Sequence, residues 1–371
     1  MTGSSCATKS KVTFILLLRR SYSWWAVLGV NFKDLVPKIQ VNLQDLAGKS
    51  IAVDAYNALY QFLAIIRQPN GTPLKDREGR VTSHLSGVLY RTSNLVEMGI
   101  RVSYVFDGAP PALKEIEIKR RMKTKQDAVV KYEKAIAEGK TEEARTYAQA
   151  TSQLKNYMLQ DCKRLLTLMG IPWVQALGEG EAQAAYMTER GDTDFCASQD
   201  YDSILFGAPT LIRNVTISGR RKLPRKPVYV EVVPEVVKLD TILRALGISY
   251  EQLVDVGILI GTDYNPEGAK GIGPKTALRL IKEYGTIDEI AEGFLGENSF
   301  PVDLQQIRDL FLNPNVSDNY VLEWQEPDIE GVVDFLCRER DFSENRVIKA
   351  LERMRRGMRE EKTRTTLDTF F

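Results

Sequence analysis

Residues 50–68 read SIAVDAYNALYQFLAIIRQ, and this stretch decides the fold. The first five residues have the apolar, partly β-branched character of a buried strand, and the next fourteen repeat apolar residues with the period of an amphipathic helix. Asp54 lies at the junction, where it ends the strand and opens the helix. A strand that passes directly into a helix is typical of an α/β domain with a parallel sheet.

Three further segments have a strand-like pattern: RVSYVFD at 101–107, DFCASQD at 194–200 and TLIRNVTI at 210–217. Amphipathic helical patterns at 85–99 and 154–170 separate most of the strands. We therefore expect an α/β fold in which helices flank a mainly parallel central sheet. Between Pro110 and Thr151, a long charge-rich helical pattern has few large apolar residues, and we expect this insert to project from the core.

Composition limits the possible chemistry. The chain has 371 residues, 43% of them hydrophobic, and its four cysteines have no zinc-ribbon or disulfide-framework spacing, which suits a reducing compartment. The single histidine, His84, lies at the start of a helical pattern, where we expect a structural or capping role. Histidine-rich zinc sites and most imidazole-based triads are therefore excluded. Hydrolysis would have to depend on carboxylates, lysines or metal ions.

Seven acidic residues are predicted to meet at one edge of the sheet. Asp54, Asp107 and Asp200 each end a strand, and the carboxyl ends of parallel strands form the edge where such folds bind ligands. The other four follow an apolar run, lie beside Asp200 or fall in the first turn of a helix: Glu179, Glu181, Asp202 and Asp263. Carboxylates packed this closely cannot all stay ionised without cations, and oxygen-only ligands favour Mg²⁺ or Mn²⁺.

Other interpretations exist for each acid. A single Asp or Glu at these positions is also explained by helix capping, and a DxD pair is common in loops. The pair Asp200 and Asp202 also resembles that of a haloacid-dehalogenase phosphatase, but such a pair is expected at the end of the first strand, where this chain supplies only Asp54. The combined pattern favours a metal site.

Six segments carry a family resemblance, in this order: VDAYNALYQFL, TSHLSGVLYRT, YVFDGAPPALK, GEGEAQAAY, ASQDYDSILFG and GTDYNPEGAKGIGPKTAL. They resemble the successive motifs of the flap endonucleases, which are structure-specific 5′ nucleases of archaea and eukaryotes. The similarity extends from about Gly29 to Met354. It implies a 5′-nuclease, PIN-like fold with a helical arch insert and a helix-hairpin-helix-like DNA-binding element.

The resemblance also implies the roles of individual residues. The seven acids match the family's site for two divalent ions, Mg²⁺ or in its place Mn²⁺. Lys114 and Arg121 match two basic catalytic positions, and their separation of two helical turns places them on one helix face. Tyr60 matches the aromatic residue on which the base beside the cut stacks. The implied catalytic set is Lys114, Arg121, Asp54, Asp107, Glu179 and Asp200.

Residues 269–281, AKGIGPKTALRLI, predict a sequence-independent phosphate cradle. Glycines allow close approach of a backbone, and a helix opened by Pro274 presents free N–H groups to an anion. In the family, a monovalent cation such as K⁺ also binds here. The DNA-binding positions that the resemblance implies besides Tyr60 are Arg67, Gly271, Gly273, Lys275 and Thr276. A third basic cluster, residues 213–226, is predicted to form a hairpin beside the duplex or an ordinary basic loop.

We expect residues 29–126 to form an N-terminal nuclease region, 108–155 the arch, 156–258 an internal nuclease region and 259–354 the DNA-binding and C-terminal helical region. In the tail, 355–371, an apolar triplet resembles the motif that binds the DNA sliding clamp, although Arg364 replaces its usual glutamine. The triplet is Leu367, Phe370 and Phe371. We expect residues 1–28 to be an overextension, with the natural start at the codon read as Leu28; the alternative is a targeting arm.

The resemblance thus implies a 5′ flap endonuclease with 5′–3′ exonuclease activity, which acts in Okazaki fragment maturation and DNA repair. We expect it to work on branched DNA as a monomer, in the cytoplasm and at the nucleoid of a prokaryote, with no membrane association. One alternative is a non-catalytic junction-binding scaffold, which the presence of all seven acids disfavours. The other is a repair nuclease with a preference for bubbles or four-way junctions, for which a long insertion or C-terminal domain is expected.

Overall fold

The computed structural model describes residues 29–68, 71–140, 143, 147, 153–217, 219–222, 229–295 and 303–368. Within them the strands are β1 (Ile39–Gln40), β2 (Ser50–Asp54), β3 (Arg101–Phe106), β4 (Trp173–Gln175), β5 (Phe195–Ala197), β6 (Thr210–Arg213), β7 (Gly219–Lys222), β8 (Tyr229–Val232) and β9 (Glu235–Lys238).

The first α-helices within the same residues are α1 (Ala55–Ile65), α2 (Ser83–Glu97), α3 (Glu115–Ala137), α4 (Asn156–Leu168), α5 (Gly180–Glu189) and α6 (Asp202–Leu205). The remaining ones are α7 (Leu239–Leu246), α8 (Tyr250–Ile260), α9 (Pro274–Tyr284), α10 (Ile287–Ile290), α11 (Leu304–Leu312), α12 (Ile329–Val333) and α13 (Glu344–Asp368). Short 3₁₀ turns occur at Leu43–Leu46, Ala112–Lys114 and Val215–Ile217.

The central sheet has the strand order β1-β9-β6-β5-β2-β3-β4. The five strands from β6 to β4 are parallel to their neighbours, whereas β9 pairs antiparallel with both β6 and β1. Strands β7 and β8 form a separate antiparallel pair, and residues 223–228 between them lie outside the described residues. The predicted α/β fold with a mainly parallel sheet is therefore confirmed.

Two apolar clusters cover the two faces of the sheet. In β2, Ala52 belongs to one cluster, and Ile51 and Val53 belong to the other, because successive side chains of a strand point to opposite faces. The first cluster joins the sheet to α5 and to helices α7 to α11. The second joins it to α1, α2, α4, α12 and α13. This leaves the strand ends free to carry polar residues.

The strand-to-helix junction at Asp54 has the predicted boundaries. Strand β2 is buried along its whole length, and Asp54 caps α1 by accepting a hydrogen bond from the backbone N–H of Asn57. The register of the parallel strands then determines which residues share the edge of the sheet. Asp54 pairs with Val105 of β3, and Val53 pairs with Ala197 of β5 on the other side. The carboxyl ends of β2, β3 and β5 consequently lie together.

Three strand predictions are wrong at their ends. Strand β3 stops at Phe106, so Asp107 follows the strand and does not end it. Strand β5 stops at Ala197, so Asp200 lies three residues beyond it and does not end it. Here the backbone N–H of Asp200 donates to the Ser198 hydroxyl at 3.2 Å, in place of a ladder bond. Strand β6 stops at Arg213 because Asn214 adopts a left-handed conformation, with φ 65°, which leads into a 3₁₀ turn.

The predicted insert forms the long helix α3, and several of its apolar residues are exposed, among them Met122 and Val130. Helices α8 and α9 with the loop between them form the helix-hairpin-helix-like element.

Within the described residues, no helix combines the length and the apolar character that a membrane span needs. The expected extension, residues 1–28, lies outside the described residues.

Candidate active site

The seven predicted acids lie on elements that meet at the carboxyl edge of the sheet. Asp54 ends β2, and Asp107 follows β3 directly. The Oδ1 of Asp107 accepts a hydrogen bond of 2.8 Å from the backbone N–H of Gly180, which opens α5. Glu179 and Glu181 flank that glycine. The topology thus brings the acids of β2, β3 and α5 to one place, as the strand-end argument predicts.

A second set of acids is held by amides and hydroxyls. The Ser198 Oγ donates to Glu181 Oε1 at 2.5 Å. Asp202, the first residue of α6, accepts from the backbone N–H of Val30 at 2.6 Å. Asp263 follows α8 and accepts from the backbone N–H of Gly29 at 3.2 Å. Residues 29–30 therefore contribute backbone donors to two of the predicted ligands.

Two basic side chains of the insert reach into this acidic group. Lys114 Nζ lies 2.5 Å from Glu179 Oε2 and 3.4 Å from Asp263 Oδ2. Arg121 Nη2 donates to both carboxylate oxygens of Asp263, at 2.7 Å each. Both cations consequently bind the same carboxylate, in agreement with their seven-residue spacing on one helix face. They tie the start of α3 to Glu179, which precedes α5, and to Asp263, which follows α8.

Burial and mutual repulsion dominate the electrostatics of the acids. Burial, followed by the charge of Asp107, raises the pKa of Asp54 to about 8. Burial is also the largest influence that raises the pKa of Glu181 to about 8 and that of Asp107 to about 6. The pKa values of Asp200 and Asp202 are raised well above their usual range by burial and by neighbouring carboxylates.

Asp263 is the exception. Burial, the largest single influence, would raise its pKa, but Arg121 and Lys114 together lower the pKa of Asp263 below its usual value. Such a site favours bound cations, because each cation that pairs with a carboxylate relieves its burial and its repulsion from the others. Lys114 and Arg121 supply part of this positive charge.

The donor set fits a hard divalent cation, since every predicted ligand is a carboxylate oxygen. Glu179 Oε1 is in addition a buried oxygen for which the structure gives no hydrogen-bond partner within the described residues. Among those residues, no three acidic, histidine or cysteine side chains are arranged as a ready-made ion site. Here the oxygens of Glu179 and Asp263 pair with Lys114 and Arg121 instead.

A buried polar chain behind Asp200 escaped the sequence analysis. Asn57 Nδ2 donates to Asp200 Oδ2 at 2.7 Å, Gln61 Nε2 donates to Asn57 Oδ1 at 2.5 Å, and Thr216 Oγ1 donates to Gln61 Oε1 at 3.0 Å. The three residues line a small cavity of about 10 Å³. A signal was available, because Asn57 and Gln61 are four residues apart and lie three and seven residues after Asp54, so they share a face of an otherwise apolar helix.

Arg213 has a role different from the predicted contact beside a duplex. Its Nε donates to the Gln199 carbonyl at 3.0 Å, and its Nη1 donates to the Tyr201 hydroxyl at 2.6 Å. The guanidinium also lies 4.2 Å from the centre of the Tyr201 ring. Arg213 therefore supports the loop that carries Asp200 and Asp202. A basic stretch in the sequence does not reveal which of its members turn inward.

The predicted DNA-binding residues lie in two places. Tyr60 is half-buried on α1, six residues after Asp54. Arg67 follows the same helix and donates to the carbonyls of Leu63 and Gly71, at 3.0 and 2.9 Å. These two hydrogen bonds use the Arg67 guanidinium to shape its own loop.

The cradle occupies the far end of the loop that begins at Asp263. Gly273 caps α9 and Pro274 is its first residue, as predicted. Gly271 has φ 79°, and a side chain added at either glycine would meet no atom within 4 Å, so the backbone here is open to a ligand. Lys275 is exposed and Thr276 is half-buried.

In the tail, α13 includes the backbone of Leu367, whereas Phe370 and Phe371 lie outside the described residues.

Comparisons with known proteins agree with this geometry. The XPG N-terminal domain family matches residues 30–128, and the XPG I-region family matches residues 170–263. Flap endonuclease 1 of Hyperthermus butylicus is 55% identical over 336 residues, which cover 90% of this chain and 96% of that protein. Flap endonuclease 1 of Pyrococcus abyssi is 51% identical over 344 residues, which cover 93% of this chain and 98% of that protein.

Solved structures show the same fold. The flap endonuclease-1 from Methanococcus jannaschii superimposes with a TM-score of 0.71 at 41% identity, over 90% of this chain and 100% of that one. The catalytic core of Rad2 in complex with DNA substrate gives a TM-score of 0.64 at 24% identity, over 85% of this chain and 96% of that one. At this lower identity the second likeness concerns the fold alone.

Proposed function

The chain belongs to the flap endonuclease family, and from this premise we propose that it cuts 5′ flaps at the junction with duplex DNA by a two-metal-ion mechanism. The observation that supports the proposal is that the seven predicted acids influence one another's pKa values and that two basic side chains pair with Glu179 and Asp263 among them. A non-catalytic scaffold would not require this costly concentration of buried carboxylates. We further propose that the same site removes nucleotides from 5′ ends, and that this activity serves Okazaki fragment maturation and DNA repair.

The ions are proposed to be Mg²⁺, with Mn²⁺ able to substitute, because both prefer oxygen ligands. The residues proposed to hold them are Asp54, Asp107, Glu179, Glu181, Asp200, Asp202 and Asp263. Divalent cations bound by these carboxylates supply an activated water and neutralise the charge that develops on the phosphate.

The chain's own residues prepare this chemistry in several ways. Gly180 N–H and Asn57 fix the carboxylates of Asp107 and Asp200 in place. Lys114 and Arg121 pair with Glu179 and Asp263 and can donate to the oxygens of a phosphate placed there, which stabilises the negative charge of the transition state. Lys114 Nζ and Arg121 Nη2 would exchange Glu179 and Asp263 for the phosphate once divalent cations bind those carboxylates.

DNA binding is proposed to use the two places described above. Tyr60 offers a ring on which the base next to the cut can stack. The α9 cradle, with Gly271, Gly273, Lys275 and Thr276, offers backbone N–H groups and a positive charge to phosphates of the duplex. K⁺ is proposed to bind at the same helix-hairpin-helix-like element. Arg67 is proposed to act from the loop after α1. None of these contacts reads a base, so recognition would depend on the shape of the branch.

The deciding experiment compares Asp200→Ala with Asp240→Ala on a labelled 5′ flap substrate, with and without Mg²⁺. Asp240 is an exposed acid on α7, with 74% of its side chain accessible, and serves as the matched control. We expect Mg²⁺-dependent cleavage at the junction by the wild type and by Asp240→Ala, and none by Asp200→Ala. Flap binding should stay within about fivefold, since phosphate contacts elsewhere supply most of the affinity.

Near-normal cleavage by Asp200→Ala would refute the assignment of the site. Tight flap binding by the wild type without cleavage in Mg²⁺ or Mn²⁺ would instead support the scaffold interpretation.

We also propose that the chain works as a monomer and that its tail binds the DNA sliding clamp through Leu367, Phe370 and Phe371. The support is the spacing of these apolar residues, which suits a one-turn plug in a groove. A chain truncated before Thr363 should keep its intrinsic flap cleavage and lose stimulation by the clamp. Equal stimulation of the full and truncated chains would refute the proposal.

A further inference from the structure

Helix α3 carries two glutamates that each pair with a basic residue four positions later. Glu115 binds Lys119 at 3.1 Å, and both side chains are exposed, at 66% and 76%. Glu117 binds Arg121 at 2.8 Å, but here the side chains are only 10% and 31% exposed. Both acids lie in the first turn of the helix, where they interact with the helix dipole in the same way. The two pairs thus differ mainly in burial and in the other residues that the basic partner contacts.

The basic partner of Glu117 also contacts the predicted metal site. Arg121 Nε donates to Glu117 Oε1, while Arg121 Nη2 donates to both oxygens of Asp263. The guanidinium is planar and its donors point in fixed directions, so bonds at Nε and Nη2 fix both its position and its plane. Glu117 therefore determines which edge of Arg121 faces the acids.

The surroundings of Glu117 indicate that this pair is not an ordinary surface contact. The residue is buried, and its Oε2 is a buried oxygen without a hydrogen-bond partner in the described part of the chain, although Arg120 Nη1 lies 3.5 Å away. A buried carboxylate is costly unless a charge-assisted bond compensates it. The main compensation for Glu117 comes from Arg121, which ties the placement of each residue to the other.

We propose that Glu117 is a positioning residue for Arg121, which holds the guanidinium in the orientation that the scissile phosphate requires. The inference rests on the proposed function, since it assumes that Arg121 contacts that phosphate. Glu117 belongs to the same helix as Arg121, so its bond to Nε persists when Asp263 exchanges Arg121 for another cation. The bond to Asp263 alone could not keep the guanidinium oriented through that exchange.

The test is a double-mutant cycle on single-turnover cleavage of a 5′ flap, with separate measurement of flap affinity and thermal unfolding. Glu117→Ala should slow the chemical step by about tenfold, the scale of one lost charge-assisted hydrogen bond, and change the Kd for flap DNA by less than about threefold. Glu117→Gln, which keeps an acceptor for Nε, should recover part of the rate. The matched control, Glu115→Ala, should leave rate and affinity within about twofold of the wild type.

The cycle also separates positioning from a general structural effect. In the Arg121→Ala background, adding Glu117→Ala should cause no further loss, because the residue through which Glu117 acts is gone. If the two losses multiply, or if Glu117→Ala alone keeps the wild-type rate, the inference is wrong. If Arg121→Ala itself leaves the rate unchanged, the catalytic role proposed for Arg121 fails first.

Discussion

Gly180 illustrates how a single residue sets the geometry of the site. It donates its backbone N–H to Asp107, and a methyl group at its Cα would lie 2.6 Å from Asp107 Oδ1 and 3.2 Å from the Val105 carbonyl. Gly180 is also the first residue of α5, where alanine is otherwise favourable. The glycine is therefore needed for close approach to a carboxylate and not for the helix.

We predict that Gly180→Ala displaces the Asp107 carboxylate and slows flap cleavage by about a hundredfold, the scale of a misplacement of about 1 Å. Gly178→Ala is the matched control, because its added methyl would meet the Asn315 carbonyl at an ordinary 3.4 Å. Single-turnover rates measure the effect, and thermal unfolding shows whether both variants remain folded. Wild-type cleavage by Gly180→Ala would mean that Asp107 tolerates displacement.

His84 has the structural role that the sequence predicts, although it caps no helix, since Thr82 is at the cap position of α2. The side chain is fully buried, both ring nitrogens lack a hydrogen-bond partner in the described part of the chain, and the ring packs edge-on against Tyr157 at 6.3 Å. Burial, with a smaller contribution from Arg340, lowers the pKa of His84 from 6.5 to about 3. The imidazole is therefore neutral at physiological pH.

A pH dependence of stability follows from this shift. Below pH 6.5 the unfolded chain takes up a proton on His84 that the folded chain does not, so stability is lost as the pH falls from 6.5 towards 3 and the effect is absent above 6.5. At pH 5 the loss should be about 2 kcal/mol relative to pH 7.5, and His84→Leu should lack this component in urea unfolding.

The single histidine also allows a direct measurement by NMR. Its ring proton resonances should keep their neutral positions from pH 7.5 to pH 4.5. Titration of the ring near pH 6.5 would show that the imidazole reaches solvent and would rule out the predicted stability effect.

At the scale of elements, a buried ion pair joins helix α8, which precedes the phosphate cradle, to helix α11. Asp255 of α8 is fully buried, and its Oδ1 lies 2.6 Å from Arg308 Nε of α11. Asp255 Oδ2 also accepts from the backbone N–H of Ile287, at the start of α10. One carboxylate thus links three helices behind the loop that leads to α9.

Removing one partner of this pair should destabilise the folded protein. Arg308→Leu leaves Asp255 buried without its counter-charge, and we predict a loss of about 3–5 kcal/mol in the free energy of unfolding. Replacing both residues by leucine should recover most of it, because no uncompensated charge remains. The control is Arg279→Leu, which breaks the exposed pair Arg279–Glu283 on α9 and should cost at most about 1 kcal/mol.

Urea denaturation of the four proteins tests this prediction. If Arg308→Leu is as stable as Arg279→Leu, the charge of Asp255 must be compensated by other groups. Flap affinity measured on the folded variants would then report whether the cradle moves when the pair is lost.

At the scale of the whole molecule, one long connection ties the two sides of the sheet together. Residues 313–328 lead from α11, which belongs to the first apolar cluster, to α12, which belongs to the second. Trp324 Nε1 donates to the Val102 carbonyl at 2.7 Å, and the backbone N–H of Gln325 donates to the Gly170 carbonyl at 2.9 Å. These bonds to the sheet and to the end of α4 fix the path of a segment that has no regular structure of its own.

The sequence by itself determined the main strands and helices and most of the residues proposed for the active site. The strand–acid–helix unit at Asp54, the long charged helix, and the glycine–proline opening of α9 all follow from local periodicity and turn chemistry, which act over a few residues. The meeting of acids from distant segments followed from one topological rule, since parallel strands end at a common edge. The spacing of Lys114 and Arg121 likewise required only the helical repeat.

Tertiary structure decided which polar side chains hold those acids in place. Arg213 turns inward to the loop of Asp200, Asn57 reaches Asp200 from α1, and Gly29 donates its N–H to Asp263, 234 residues away. It also set the pKa values of several acids. Once the chain has packed, burial and mutual repulsion raise the pKa values of Asp54, Asp107, Glu181, Asp200 and Asp202, whereas Arg121 and Lys114 lower that of Asp263. Such contacts join residues far apart in the chain, and no local pattern encodes which donor will meet which carboxylate.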